Sequence, residues 1–120
     1  MKNNAQEKIE VPQTIAQKME EQINKKEKYM TNLHIKLNKV TDLKIKEANE
    51  RARLMSSNLS DKIEGKVTEK AKVAYCDKKL EGTVNTITWL ENDITKIKKQ
   101  MELCDNKISL YKYTIRELEL

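Results

Sequence analysis

The C-terminal half of the chain carries an apolar residue at nearly every step of a strict alternation of three and four residues. The pattern runs from Val73 to Leu118, over roughly six heptads. A repeat that averages 3.5 residues is typical of a left-handed coiled coil, because a straight α-helix drifts about 20° per heptad away from such a stripe. We call this stripe the C-terminal seam and expect it to join copies of the chain. Its residues are Val73, Leu80, Ile87, Leu90, Ile94, Ile97, Met101, Cys104, Ile108, Tyr111, Ile115 and Leu118.

Composition limits the fold class. Hydrophobic residues make up 38% and charged residues 36% of the 120 residues, so apolar side chains are too few for a large globular core. Two glycines and one proline provide almost no turn signals, which argues against a β-sheet protein. The chain is therefore predicted to be all-α, with long coiled-coil helices.

The first helix is predicted to start near residue 14. Thr14 follows Pro12 and precedes Gln17 by three residues, which is the spacing of a capping box. We therefore expect residues 1–12 to be a flexible lead-in and residues 13–120 to form a single elongated helical domain.

A shorter apolar stripe follows in the N-terminal half, with Lys26 at one of its positions. After Val40 the apolar residues resume one position later, at Ile45, which predicts a stutter that locally unwinds the supercoil. The stripe consists of Ala16, Met19, Ile23, Met30, Leu33, Leu37 and Val40.

The weakest helix propensity lies between residues 56 and 66. Serine, asparagine and aspartate compete for backbone hydrogen bonds there, and Gly65 costs about 1 kcal/mol in a helix. This favours a bend near residues 56–66 and an antiparallel helical hairpin that self-associates. The alternative is one continuous helix of around 100 residues, about 150 Å long.

Catalytic and metal-binding patterns are not evident. Cys76 and Cys104 are four heptads apart in one seam column, which indicates two buried thiols instead of a shared ligand set. His34 lacks the carboxylate three residues earlier that helical-bundle metal sites use. We therefore expect a non-enzyme without a cofactor.

A basic column is predicted on the first helix. Lys25, Asn32, Lys39, Lys46 and Arg53 recur every seven residues, which places them on one side of a supercoiled helix. Such a column either is solvated or tracks a phosphate backbone. The candidate nucleic-acid face consists of Lys25, Lys28, Lys36, Lys39, Lys46 and Arg53.

Trp89 stands beside seam residue Leu90 but outside the seam. Either it packs against another helix, or it is an anchor for a protein partner, because tryptophan is enriched at binding hot spots. Both interpretations stay open at this point.

The leading interpretation is a non-enzymatic structural or adaptor protein that forms a homo-oligomer, with a dimer as the first expectation, and binds a protein partner. A nucleic-acid-associated coiled coil is the alternative, and a small protein inhibitor of a larger enzyme is a second alternative. No stretch approaches the roughly 18 apolar residues of a membrane span, so we expect a cytoplasmic protein without membrane contact. Its lysine-, asparagine- and isoleucine-rich usage suggests an accessory factor of a bacterium or a mobile element.

Overall fold

The computed structural model describes residues 13–119, which form a long helical hairpin. Helix α1 spans Ile15–Ser56, α2 spans Glu69–Lys79 and α3 spans Glu81–Glu119. The molecule measures 80 × 45 × 17 Å, and its smallest dimension corresponds to a single layer of helices. The predicted all-α antiparallel hairpin is thus confirmed. The lead-in predicted for residues 1–12 lies outside the described residues.

The start of α1 is the predicted capping box. The Thr14 hydroxyl accepts a hydrogen bond from the Gln17 backbone N–H at 3.1 Å, and the Gln17 side-chain oxygen accepts one from the Thr14 N–H at 2.9 Å. Two backbone donors that a helix start leaves unpaired are satisfied in this way.

The bend between the arms occupies residues 57–68. Ser57 ends α1 in an extended conformation, and Thr68 caps α2 by accepting from the Ala71 N–H. Leu59 is 4% exposed and fixes the turn to the hairpin, while Gly65 adopts a φ of 78°. The bend therefore falls where the propensities predicted it and extends two residues further.

Helices α2 and α3 are almost continuous. Leu80 leaves helical geometry with a φ of −98° and a ψ of 4°, yet its N–H donates to the Cys76 carbonyl and its own carbonyl accepts from Val84, each at 2.9 Å. The heptad passes through this joint, and the residues around Gly82 are helical. Packing thus prevails over the low helix propensity of this segment.

The C-terminal seam faces α1 within the same chain. Its central members are buried, whereas Val73 and Leu118 at its ends are 41% and 73% exposed. Met101, Ile108, Tyr111 and Ile115 are partly buried. Association of copies through the seam stays a prediction, and the partly buried members are the ones that a second copy would reach. The buried members are Leu80, Ile87, Leu90, Ile94, Ile97 and Cys104.

Ion pairs between the arms fix the register. Lys26 pairs with Asp105 at 2.6 Å and Lys36 with Asp93 at 3.3 Å, so residue numbers rise along α1 as they fall along α3. The centre of the core is a cluster of Val40, Ile87, Leu90 and Ile94, with Leu33 and Leu43 packed against it.

The contact face of α1 differs from the predicted stripe. Gln22 is buried and Tyr29 partly buried, whereas Ile23, Met30 and Leu37 stay 38–42% exposed. The predicted shift after Val40 is also wrong, because Leu54 is buried two heptads further on while Ile45 is 56% exposed. Because the apolar seam on α3 is continuous, α1 keeps one heptad register along it. The polar residues Lys36 and Arg51 of α1 lie at the edge of this contact and form ion pairs across the hairpin.

Candidate interaction faces

The hairpin is one helix thick, so it presents two broad faces. On one of them Lys44 pairs with Glu91 at 3.1 Å and Arg51 with Asp77 at 2.8 Å. Lys44 and Arg51 continue, at seven-residue spacing, the column formed by Ile23, Met30 and Leu37. This face therefore carries the exposed apolar column of α1.

Lys26 and Asp105 lie in the middle of the same face. Ile23 and Met30 are three and four residues from Lys26, and Met101 and Ile108 are four and three residues from Asp105. Side chains at these spacings are neighbours on a helix surface. We define the apolar face by Ile23, Met30 and Leu37 of α1 and by Met101 and Ile108 of α3. Its α1 members are 39%, 42% and 38% exposed.

The opposite face carries the basic column of α1. Lys46 and Arg53 line a shallow groove together with Leu80 and Thr83, which shows that this column borders the other side of the seam. Lys25, Asn32, Lys39, Lys46 and Arg53 are all exposed. The structure therefore brings the predicted column together.

Lys36 and Lys28, the other two members of the predicted nucleic-acid face, lie outside this column. Lys36 lies in the contact between the arms, where it is about one quarter exposed and pairs with Asp93. It does not belong to the exposed basic column, because the heptad places it in the second contact column of α1. Lys28 is exposed beside Asn24, Glu27 and Thr31, on the outer side of α1.

Basic residues of α2 and α3 extend the same face. Lys79 lies over the Tyr75 ring, 6.0 Å from its centroid, and Tyr75 is near enough to Arg53 to contribute to the raised pKa of Arg53, after Glu50. Lys96 and Lys107 are exposed and fall on this side by the heptad of α3. We define the basic face by Lys25, Lys28, Lys39, Lys46 and Arg53 of α1 with Lys79, Lys96 and Lys107.

Hydrogen bonds of Arg51 and Arg53 on α1 shift the pKa of these two arginines and of Glu50. A side-chain hydrogen bond from Arg53 lowers the pKa of the exposed Glu50 carboxyl and raises the pKa of Arg53 itself. Hydrogen bonds to Asp77 and then to Glu47 raise the pKa of Arg51. These arginines stay charged at every physiological pH.

Trp89 begins an exposed apolar ridge on the outside of α3. It is 70% exposed, Leu103 is 52%, Leu110 is 60% and Tyr113 is 60%. Trp89, Leu103 and Leu110 stand in one heptad column with Lys96, and Tyr113 is one helical turn beyond Leu110. We call these four residues the outer ridge. The column borders the basic face, and Trp89 does not pack under another helix of the chain.

The two cysteines are buried and the histidine is exposed. Cys76 is 0% exposed and Cys104 is 4% exposed, and both are free thiols, so the expected burial is confirmed. His34 is exposed. Within residues 13–119, no group of three or more His, Cys, Asp or Glu is close enough to hold a metal ion. No helix in this range has an apolar run long enough to cross a membrane.

Comparison with protein families, with curated proteins and with solved structures found no match to this chain. Its interpretation therefore depends on the two faces and the ridge. Ile23, Met30 and Leu37 belong to the predicted apolar stripe of α1, but an exposed apolar face was not predicted from it. Lys26, which stands within the same stripe, was the signal that the stripe is not fully enclosed.

Proposed function

We propose that this chain is a non-enzymatic adaptor that self-associates as a helical hairpin and binds a protein partner through the outer ridge. The observation that carries the proposal is the 70% exposure of Trp89 in line with Leu103 and Leu110. Tryptophan and tyrosine bury 150–250 Å² each when covered, and they are enriched among residues that dominate binding energy.

The surroundings of the ridge favour an acidic partner. Lys96 stands within the ridge column, and the basic face begins beside it. Complementary charge speeds encounter and selects partners, while apolar anchors provide most of the affinity. A helix with an apolar stripe and acidic flanks is the partner chemistry that fits this surface.

The energetics of the hairpin support self-association. Within the described residues ten apolar side chains are buried; Leu59 lies in the bend, and the other nine lie along the contact between the arms. Helices of this kind take most of their stability from packing, and binding of a second copy or a partner adds stability by mass action.

Affinity capture from the source cells tests the partner. The bait is the full chain, compared with a Trp89→Ala/Leu110→Ala variant and with Met30→Ala, which removes an apolar side chain that is 42% exposed on the other face. We expect the ridge variant to lose a partner by at least tenfold and Met30→Ala to retain it. Capture of the same proteins by the ridge variant and the parent would contradict the proposal. If the captured partner is an enzyme and its rate falls when this chain binds to it, the chain acts as an inhibitor.

Nucleic-acid binding is the second candidate, and the exposed basic face favours it. Lysine supplies most of its charge, which suits backbone contact more than base reading. The test is binding of duplex DNA and RNA over a salt series. We would expect the affinity to fall steeply with salt, and Lys39→Glu/Lys46→Glu to weaken it much more than the charge-matched Lys66→Glu/Lys70→Glu in the turn region. No binding at low salt would remove this candidate.

A further inference from the structure

We propose that two copies of the hairpin pack through their apolar faces into an antiparallel four-helix bundle, with α1 of each copy lying over α3 of the other. The inference rests on the self-association in the proposed function and specifies its surface and geometry. The occupant of the apolar face is thus a second copy of this chain.

Helix α1 is oriented so that α3 covers only part of its apolar stripe. Met19, Leu33 and Val40 contribute to the hairpin contact, but Ile23, Met30 and Leu37 of the same stripe stand at its open edge. An apolar strip this wide is typical of a helix that touches two neighbours in a bundle, whereas a helix with one neighbour needs only the narrow seam. Helix α1 therefore has one neighbour too few in the single hairpin.

Helix α3 is also uncovered at the same level. Its seam is buried from Leu80 to Ile97, but Met101, Ile108 and Ile115 are only partly buried. The ion pair between Lys26 and Asp105 places these residues beside the exposed column of α1. The open strip is therefore made by both arms and is continuous with the hairpin core.

The two edges of this strip carry charged residues. The α1 edge carries Glu20 and Glu27, both exposed, with neutral residues between them. The α3 edge is mixed, because Lys98 is followed by Glu102 and by Asp105, which already pairs with Lys26. Beyond them, α3 carries the exposed basic residues Lys112 and Arg116.

The edge charges select the symmetry of the dimer. A two-fold axis parallel to the helices places the α1 edge of one copy against the α3 edge of the other. By the register of the hairpin, Glu20 is then level with Lys112 of the second copy, with Arg116 one turn further on. A two-fold axis across the helices would instead place α1 on α1 and α3 on α3, so that Glu20 would lose this basic neighbour.

The bundle leaves the proposed partner surface free. The basic face and the outer ridge lie outside, one set on each copy, so self-association and partner binding use different surfaces. Lys26 and Asp105 become enclosed at the centre of the interface. Desolvation of this pair limits the affinity of the dimer and penalises registers in which the two charges are separated.

Sedimentation equilibrium of the full chain tests the surface. We expect a concentration-dependent approach from 14.1 kDa to twice that mass. The Met30→Asp/Leu37→Asp variant should dimerise more than tenfold more weakly, whereas Leu103→Asp/Leu110→Asp, a matched change on the outer ridge, should dimerise like the parent. Equal loss in both variants, or no loss in the first, would overturn the choice of face.

Charge exchange tests the geometry with exposed substitutions that leave the core intact. Glu20→Lys should weaken dimerisation at low salt by several fold, and adding Lys112→Glu should restore it. A doubly substituted chain that dimerises no more tightly than Glu20→Lys would overturn the α1-over-α3 arrangement. A parent chain that stays monomeric would overturn the dimer, whereas capture through the outer ridge would still test the adaptor role on its own.

Discussion

Lys26 of α1 and Asp105 of α3 form an ion pair of 2.6 Å between the two arms, at a point where the apolar stripe of α1 is interrupted. Their side chains are 32% and 51% exposed, so solvent screens the attraction and the pair contributes at most about 1 kcal/mol. Its main effect is on register, because a slip of the arms would place Lys26 beside apolar residues of α3.

Replacement of Lys26 by methionine should therefore stabilise the chain. Methionine adds apolar area at a contact position, and the remaining Asp105 is exposed enough to stay hydrated. We expect the free energy of unfolding of the single hairpin in urea to rise by about 0.5–1 kcal/mol. The dimer should weaken, because Asp105 would be enclosed there without its partner. Destabilisation by more than about 1 kcal/mol would show that the ion pair matters more than its exposure suggests.

Ile94→Asp should unfold the hairpin as well as the dimer. Ile94 is 7% exposed in the central cluster, so a carboxylate there would be buried without a partner. A loss of about 3 kcal/mol or more is expected, which is enough to reduce the helical circular dichroism of so small a core. Ile97→Asp should act alike. Retained helicity together with a retained dimer would refute the seam.

The two glycines should respond to alanine with opposite signs. Gly65 has a φ of 78°, and an added Cβ would meet nothing within 4 Å, so Gly65→Ala is opposed by its backbone conformation alone. It should cost about 1 kcal/mol. Gly82 lies within α3, and Gly82→Ala should stabilise by about 0.5–1 kcal/mol. Thermal unfolding of both variants measures the difference, and equal shifts would contradict the turn geometry.

Acid should weaken the link between Glu50 and Arg53. Because the pKa of Glu50 is lowered in the folded chain, its contribution is present above the ordinary glutamate pKa and is lost as the pH falls through the folded-state pKa. An NMR titration of the Glu50 carboxyl should show this lowered midpoint, and Arg53→Gln should return it to the ordinary range. An unchanged midpoint in the variant would assign the shift to another cause.

Much of the fold followed from local patterns. The capping box at Thr14, the bend before Gly65 and the seam around Ile94 each depend on residues close in sequence, so their consequences are visible without a partner helix. The rotation of α1 is different. Which of Gln22 and Ile23 faces α3 depends on the register between distant segments, which the ion pair at Lys26 helps to determine.

The candidate surfaces were likewise predicted only where they depend on residues close in sequence. The basic column was predicted from its seven-residue spacing. Lys36 was included in the candidate face because its pairing with Asp93, 57 positions away, is not visible in the sequence. Trp89 was singled out from its type and its place beside the seam, with packing against another helix and partner binding both left open. Its alignment with Leu103 and Leu110 was not recognised, since these residues become a ridge only once α3 is known to turn its other side to α1.

The distance between single spin labels in two copies tests the central claim most directly. Labels are placed at Asn24→Cys or Asn49→Cys, both exposed on α1, with Cys76 and Cys104 replaced by alanine. In the proposed bundle the two α1 helices run parallel to each other on a diagonal, so both sites should give similar intermolecular distances, each below about 40 Å. A distance at Asn49 that exceeds the one at Asn24 by tens of ångströms, or no intermolecular distance at all, would contradict the bundle.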